Sequence, residues 1–385
     1  MRLGVIGYGT RSKDVISAMQ KVDSSVMISS VYDFSTENVK RDMLDNNIDI
    51  NKIAFYESID DMLNSNNLDG VIIGTRCDSH TEYAVKVLPT GIPLFMEKPV
   101  ATNMSDLLRL KEGAQKAKSP VVVSFPLRVT PQIALAKEMI DSGKIGSVEH
   151  VQAVNDCSYG GVYFHNWYRD EKVTGGLFLQ KATHDFDYIN YVLGIKPVMI
   201  CAMNSKQIFK GDKPEGLLCR DCEVREDCLE STYGKPYSKG ANQLEDGCVF
   251  AKDTGNEDSG TAIIRYETGM HAVYSQNFFV RQKSGIRGAR FMGYKGTIEF
   301  DWYSNEFRVH MNHTPRIEIH KMDVDENGHG GGDFALARNF IDIMKGKTSK
   351  SVSDLDAGLL SVLMCLKAKE SSQTNQFKDI VFPAI

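Results

Sequence analysis

Short runs of β-branched and aliphatic residues recur through the first third of the chain, at 3–6, 26–32, 53–56, 70–74, 93–96 and 121–125. The stretches between them carry apolar residues at helical spacing. Apolar runs without alternation suit strands buried on both faces, and strands alternating with helices predict βαβ units and a parallel sheet. The clearest helix follows Ser79-His80-Thr81-Glu82, which has the S-x-x-E spacing of a capping box; Ala84, Val87 and Leu88 then form an apolar stripe and Gly91 closes it.

After Pro131 the pattern changes. A helix is predicted over 132–142, and alternating segments at 148–154, 260–266, 270–277 and 296–300 predict a mainly antiparallel sheet. Thr183 reads as the N-cap of a helix ending at Leu193, with Phe186, Ile189, Tyr191 and Val192 as its apolar surface and Gly194 just past its end. Two further helices are predicted over 333–344 and 354–371. The stretch 205–259 follows neither period and reads as an insertion. The fold class is therefore α/β: an N-terminal doubly wound parallel-sheet domain over 1–126, and a C-terminal α/β domain over 127–385 built on a large, mainly antiparallel open sheet.

Length supports two domains, because 385 residues exceed what one hydrophobic core usually organises. A net charge of -5 with dispersed Lys and Arg argues against nucleic-acid or anionic-membrane partners. No apolar run is long enough to cross a bilayer. Strand-like sequence beginning at residue 1 leaves no room for a signal peptide, so a cytoplasmic location with reduced thiols is expected.

The first strand runs into Gly7-Tyr8-Gly9-Thr10-Arg11-Ser12 and then a helix, the context that a dinucleotide fingerprint requires. Gly7 permits a tight turn, and Gly9 lets backbone approach a pyrophosphate held by the helix N-terminus. Tyr8, Thr10 and Arg11 share that turn, and Ser12 stands where a third glycine is usual. Asp33 ends the second strand, 24 positions after Gly9, as expected of an acid that accepts ribose hydroxyls and repels a 2'-phosphate. NAD is therefore favoured over NADP. Thr75 and His80, in Gly74-Thr75-Arg76-Cys77-Asp78-Ser79-His80, and Glu97-Lys98-Pro99 fall at other strand ends, where ligands of such sheets bind.

The fingerprint, T-x-x-x-x-H, E-K-P, the segment at Arg128, and Gly175-Gly176 followed by His184-Asp185 come in the order and spacing that resembles the Gfo/Idh/MocA oxidoreductases. The resemblance covers nearly the whole chain. It implies a Rossmann domain followed by a sheet domain that often serves in oligomerisation, here a homodimer or homotetramer. It also implies hydride transfer between NAD and a secondary alcohol of a sugar, cyclitol or derivative. Lys98 becomes the lysine beside the nicotinamide and substrate hydroxyl, and His184 the catalytic-pocket histidine. Placed in the first turn of its helix, that imidazole would be kept neutral by the positive dipole end.

Gln180 departs from the pattern, since many relatives carry aspartate there. Lys181 beside it is either a second amine at the site, each ammonium lowering the pKa of the other, or an exposed residue. Arg128, His165, Trp167, Gln180 and Asp185 are candidate substrate contacts, with the aromatic stretch 159–168 suited to sugar faces. Two rival readings are a redox-neutral glycoside-cleaving enzyme using transient oxidation by NAD, and an NAD-binding regulator without turnover.

Cys219-x2-Cys222-x5-Cys228, with Cys248 as a fourth thiolate, has the spacing of a structural zinc site. An iron-sulfur cluster and unliganded thiols are the alternatives.

Overall fold

A computed structural model describes residues 1–65, 68–234, 246–322 and 329–383. Part of the expected insertion, residues 235–245, therefore lies outside the described residues. The chain divides into two units, Met1–Pro131 with Val324–Val362 and Pro383–Ile385, and Gln132–Asp323 with Leu363–Phe382.

In the first unit, β1 (Arg2–Ile6), β2 (Met27–Tyr32), β3 (Ala54–Tyr56), β4 (Gly70–Ile73), β5 (Leu94–Met96) and β6 (Val121–Val123) form one sheet in the order β3-β2-β1-β4-β5-β6. Every pairing is parallel. The crossovers contain α1 (Thr10–Val22), α2 (Thr36–Asp45), α3 (Ile59–Asn64), α4 (His80–Val87) and α5 (Met104–Gln115). Leu3, Val5, Ile72, Phe95 and Val122 are buried, the continuous apolar signature of strands covered on both faces. Strand order reverses between β1 and β4, so a crevice opens at their carboxyl ends, the place where doubly wound sheets bind ligands.

The second unit carries α6 (Pro131–Asp141, beginning on the last residue of the first unit), the short α7 (Val162–His165) and α8 (Glu171–Thr174), and the long α9 (Leu177–Leu193). Its sheet comprises β7 (Val148–Asp156), β8 (Pro197–Ser205), β9 (Ser259–Tyr266), β10 (His271–Asn277), β11 (Arg287–Gly293), β12 (Gly296–Asp301), β13 (Glu306–Met311), β14 (Ile317–Lys321) and β15 (Lys378–Asp379). Their order is β14-β13-β12-β11-β7-β10-β9-β8-β15. Only β10 with β7 is parallel among these pairings. One face is covered by α9, whose Phe186 packs edge-on against Tyr274 and whose Tyr188 packs on Phe300 and Trp302. The other face stays open, which gives β9 its alternation of buried and exposed residues.

Two C-terminal helices follow, α10 (Gly332–Met344) and α11 (Leu355–Thr374). Although α10 follows the second sheet in sequence, it belongs to the first unit, because Leu336, Ala337, Phe340 and Ile341 share a core with Val15, Ile16 and Met19 of α1. Among the described residues, no helix is long and apolar enough to cross a membrane.

Candidate active site

The fingerprint turn is built as its sequence requires. Gly7 has φ of +82°, and a Cβ there would meet Thr75 Cγ2 at 2.6 Å, so only glycine fits. Ser12 is buried and its hydroxyl donates to the Gly7 carbonyl at 2.6 Å. A Cβ on Gly74 would lie 2.0 Å from that Oγ, so serine fills the close helix-strand contact usually left to a third glycine. Helix α1 starts behind Gly9 with no side-chain cap and no acid in its first turn. A helix start of that kind fits a pyrophosphate. The Asp33 carboxylate accepts from the backbone N-H of Tyr8 at 2.8 Å and of Ser35 at 2.8 Å, which holds the acid against the turn.

The Glu97-Lys98-Pro99 segment, with its cis Lys98-Pro99 bond, is braced from three sides. His80 is 1% exposed, with Nδ1 2.8 Å from the Pro99 carbonyl and Nε2 3.1 Å from the Thr75 carbonyl. Burial holds its pKa below the ordinary histidine value; in the neutral ring only one of those two contacts can be a donated hydrogen bond. His80 is a brace rather than a surface for the cofactor. Thr81 adds a hydrogen bond to the Val100 carbonyl at 2.9 Å. The expected capping box at Ser79 does not form, because the Ser79 hydroxyl turns to Thr75 Oγ1 at 2.8 Å instead.

Arg11 is the third brace, and it too differs from expectation. Its Nε donates to Glu97 at 2.9 Å, its terminal nitrogens to Asp333, and one of them also to Ser124 at 3.2 Å. The fork is committed to the protein and does not face the turn as a cofactor ligand. Asp333 also receives His329 Nδ1 at 2.8 Å. Burial alone would raise the Asp333 carboxyl, but His329 and Arg11 hold it well below the usual carboxylate range. Arg128, on the turn Pro126–Val129, reaches the Val352 carbonyl at 3.4 Å.

In the second unit, α9 begins six residues before the expected start, at Leu177 behind Gly176. Thr183 is interior, and its hydroxyl donates to the Leu179 carbonyl four residues back at 2.9 Å. His184 therefore stands two turns inside the helix. The macrodipole argument for its neutral form lapses, since that effect fades beyond the first turn.

Asp185 is fully buried and paired inward. It accepts from Asn155 at 2.7 Å and Tyr274 at 2.8 Å, and forms an ion pair with Arg287 at 3.3 Å. That makes it a core charge, not a substrate contact. Gln180 is 1% exposed and donates to the Thr174 carbonyl at 2.9 Å. Its amide anchors the start of α9. Trp167 stacks on Tyr168 with ring centroids 3.8 Å apart, while Phe164 joins the cluster of Leu177, Phe209 and Phe278.

Lys181 is buried rather than exposed, at 5%. Its ammonium donates to Tyr159 Oη at 2.9 Å and Tyr163 Oη at 2.6 Å. Burial pulls its pKa down, but the two phenol oxygens push it up further, to well above the ordinary value. The expected depression does not arise. The two tyrosines carried no motif; only the register of α9 against 159–163 reveals them.

His165 was expected to face substrate and instead joins the cysteine segment. Its Nδ1 lies 2.7 Å from the Gly247 carbonyl, and the ring hydrogen-bonds the Cys219 thiol. Backbone bonds from Cys219 to Asp246 and from Cys248 to Leu217 zip the two ends of the segment together. Among the described residues, however, no three or more His, Cys, Asp or Glu side chains form a group that could hold a metal ion. Cys219 and Cys248 are buried while Cys222 and Cys228 are partly exposed; burial and the three neighbouring thiols raise the Cys248 pKa.

Residues 1–125 match a family described as an oxidoreductase family with an NAD-binding Rossmann fold, and residues 133–299 match the GFO/IDH/MocA C-terminal domain. The Bacillus subtilis protein YteT is 30% identical over 338 residues, covering 78% of each chain. The chain belongs to the Gfo/Idh/MocA family. Within the Gfo/Idh/MocA oxidoreductases it also matches the Thermotoga maritima myo-inositol 2-dehydrogenase, 24% identical over 205 residues and spanning 50% of this chain and 55% of that one. Among solved structures, an oxidoreductase domain protein from Kribbella flavida superposes with a TM-score of 0.78 over 98% of both chains at 17% identity. A levoglucosan dehydrogenase in complex with NADH and levoglucosan gives 0.76 over 99% of both at 17% identity. These two similarities show the fold.

Proposed function

We propose that this chain oxidises a secondary alcohol of a sugar-like or cyclitol substrate with NAD, or reduces the corresponding ketone. The observation that carries the reading is the common edge of the first sheet. Because every strand there is parallel, the Gly7–Gly9 turn, Asp33, Thr75 and Lys98 all follow carboxyl ends and share one rim.

Bound NAD supplies the hydride acceptor. Gly9 and the start of α1 would hold the pyrophosphate, and Asp33 would accept hydrogen bonds from the ribose hydroxyls. Lys98 takes the proton from the substrate hydroxyl as hydride leaves the same carbon, and returns it in the reverse direction. His80, Thr81 and Arg11 hold the Lys98 segment in place.

The test is NADH formation followed at 340 nm across cyclitols, aldoses, sugar acids and glycosides. Substrate-dependent NADH accumulation, with NAD preferred over NADP, is expected. Glycoside cleavage without net NADH would favour the redox-neutral alternative, and tight NAD binding without any turnover would favour a regulator.

We also propose that the chain forms a homo-oligomer. The open sheet face exposes Ile263, Ile317 and Ile319, apolar side chains suited to a contact between copies. Light scattering should give a dimer or tetramer mass; a monomer at micromolar concentration overturns the proposal.

A further inference from the structure

Among the described residues, the buried Lys181 ammonium has no carboxylate beside it. An ammonium carries three donors, and two are given to the Tyr159 and Tyr163 phenols. The aromatic faces help, with Nζ 4.6 Å from the Tyr159 ring centroid and 4.4 Å from that of Tyr163. Neither partner, however, is a carboxylate. The carboxylate one helical turn away, Asp185, is taken by Arg287, and burial raises the pKa of the nearby Cys157 thiol, which leaves it neutral. Among the described residues, no carboxylate pairs with this buried ammonium, an arrangement that is destabilising when nothing answers it.

Lys181 stands three residues before His184 and so shares its face of α9. Tyr159 is 45% exposed. Its oxygen accepts from Lys181, so its hydroxyl hydrogen can point outward. The third N-H of Lys181 and the O-H of Tyr159 are two donors on one cationic site. They match the two oxygens and single charge of a carboxylate better than a phosphate dianion, which needs more cations.

We infer that the sugar-like substrate carries a carboxylate, and that Lys181 and Tyr159 receive it as specificity-determining residues. The inference rests on the proposed function only in taking the molecule received here to be the substrate. It makes the natural substrate a uronic, aldonic or related sugar acid rather than a neutral polyol.

Two measurements decide it. In turnover, sugar acids such as glucuronate and gluconate should show kcat/KM at least 10-fold above glucose and myo-inositol. Lys181→Met should collapse that preference by about 10- to 100-fold, chiefly through KM, as expected for loss of a charge-assisted contact. Lys181→Arg should restore part of it, and Tyr159→Phe should erode it. In binding, calorimetry of glucuronate against the protein with NADH should show the same loss in Lys181→Met. That arm stands even if no compound is turned over, so it separates this inference from the dehydrogenase reading. Circular dichroism and NADH binding confirm that each variant is folded. Equal use of neutral and acidic sugars, an acid preference unchanged in Lys181→Met, or tighter binding of glucose 6-phosphate than of glucuronate would overturn the assignment.

Discussion

Lys98→Met is expected to lower kcat by about 10²- to 10⁴-fold, the range that one positioned proton-transfer group contributes, while NADH binding stays within about 3-fold. The split follows from where the groups sit. The pyrophosphate cradle is the turn at Gly7 and Gly9 and the uncapped start of α1, none of which depends on the lysine. The Glu97-Lys98-Pro99 backbone is held by His80 and Thr81 through backbone carbonyls, and these bonds survive a change of side chain at 98. Steady-state NADH formation together with NADH fluorescence titration checks the split. A variant that keeps kcat within 3-fold of the parent would remove Lys98 from proton transfer.

Arg11→Met should strongly destabilise the first unit. The guanidinium lies between Glu97 and Asp333, whose side chains are 7% and 6% exposed. Removing it leaves two buried carboxylates with no shared cation, a loss of about 3–5 kcal/mol. For a unit of this size that is a fall of about 6–20 °C in Tm. The pH dependence gives a second signature. In the parent, the Asp333 pKa is depressed in the folded state, so its contribution to stability is full above the unfolded carboxyl value of about 3.9 and is lost as pH falls through the folded value.

Without Arg11, one of the two groups that hold the Asp333 carboxyl down is gone, and its pKa rises. The gap in Tm between parent and variant should therefore be widest near neutral pH and narrow as pH falls toward the folded Asp333 value. Arg11→Lys should fall between the two, since it keeps a charge but not the fork. A variant melting within 2 °C of the parent at pH 7 would show that the cluster contributes little.

The parallel sheet was legible because its signal is local. Apolar runs, glycine-rich ends and an acid after the second strand each report on a few consecutive residues, and the structure places every one of the six expected strands within three residues at each end. The start of α9 was not legible. Thr183 looks like a cap, yet Gly176 precedes a helix whose first turns are buried throughout, and a helix buried on all sides shows little periodicity. That error moved His184 away from the helix terminus and removed the electrostatic argument attached to it.

Residue type also suggested roles that partners then changed. Arg11, His80, Asp185 and His165 read as ligands for small molecules, and each is bound instead to groups of the protein itself. Long-range pairing of this kind leaves no trace in spacing: Arg11 and Asp333 are separated by 322 positions.

The sequence by itself determined the α/β class and the tight turn at Gly7, because short-range sterics and hydrogen bonding dictate them. Tertiary structure alone decided which polar side chains are already satisfied. It showed Arg11 spent on Glu97 and Asp333, Asp185 spent on Arg287, and Lys181 held by two phenols rather than by a carboxylate, since burial and distant partners set the cost of each charge.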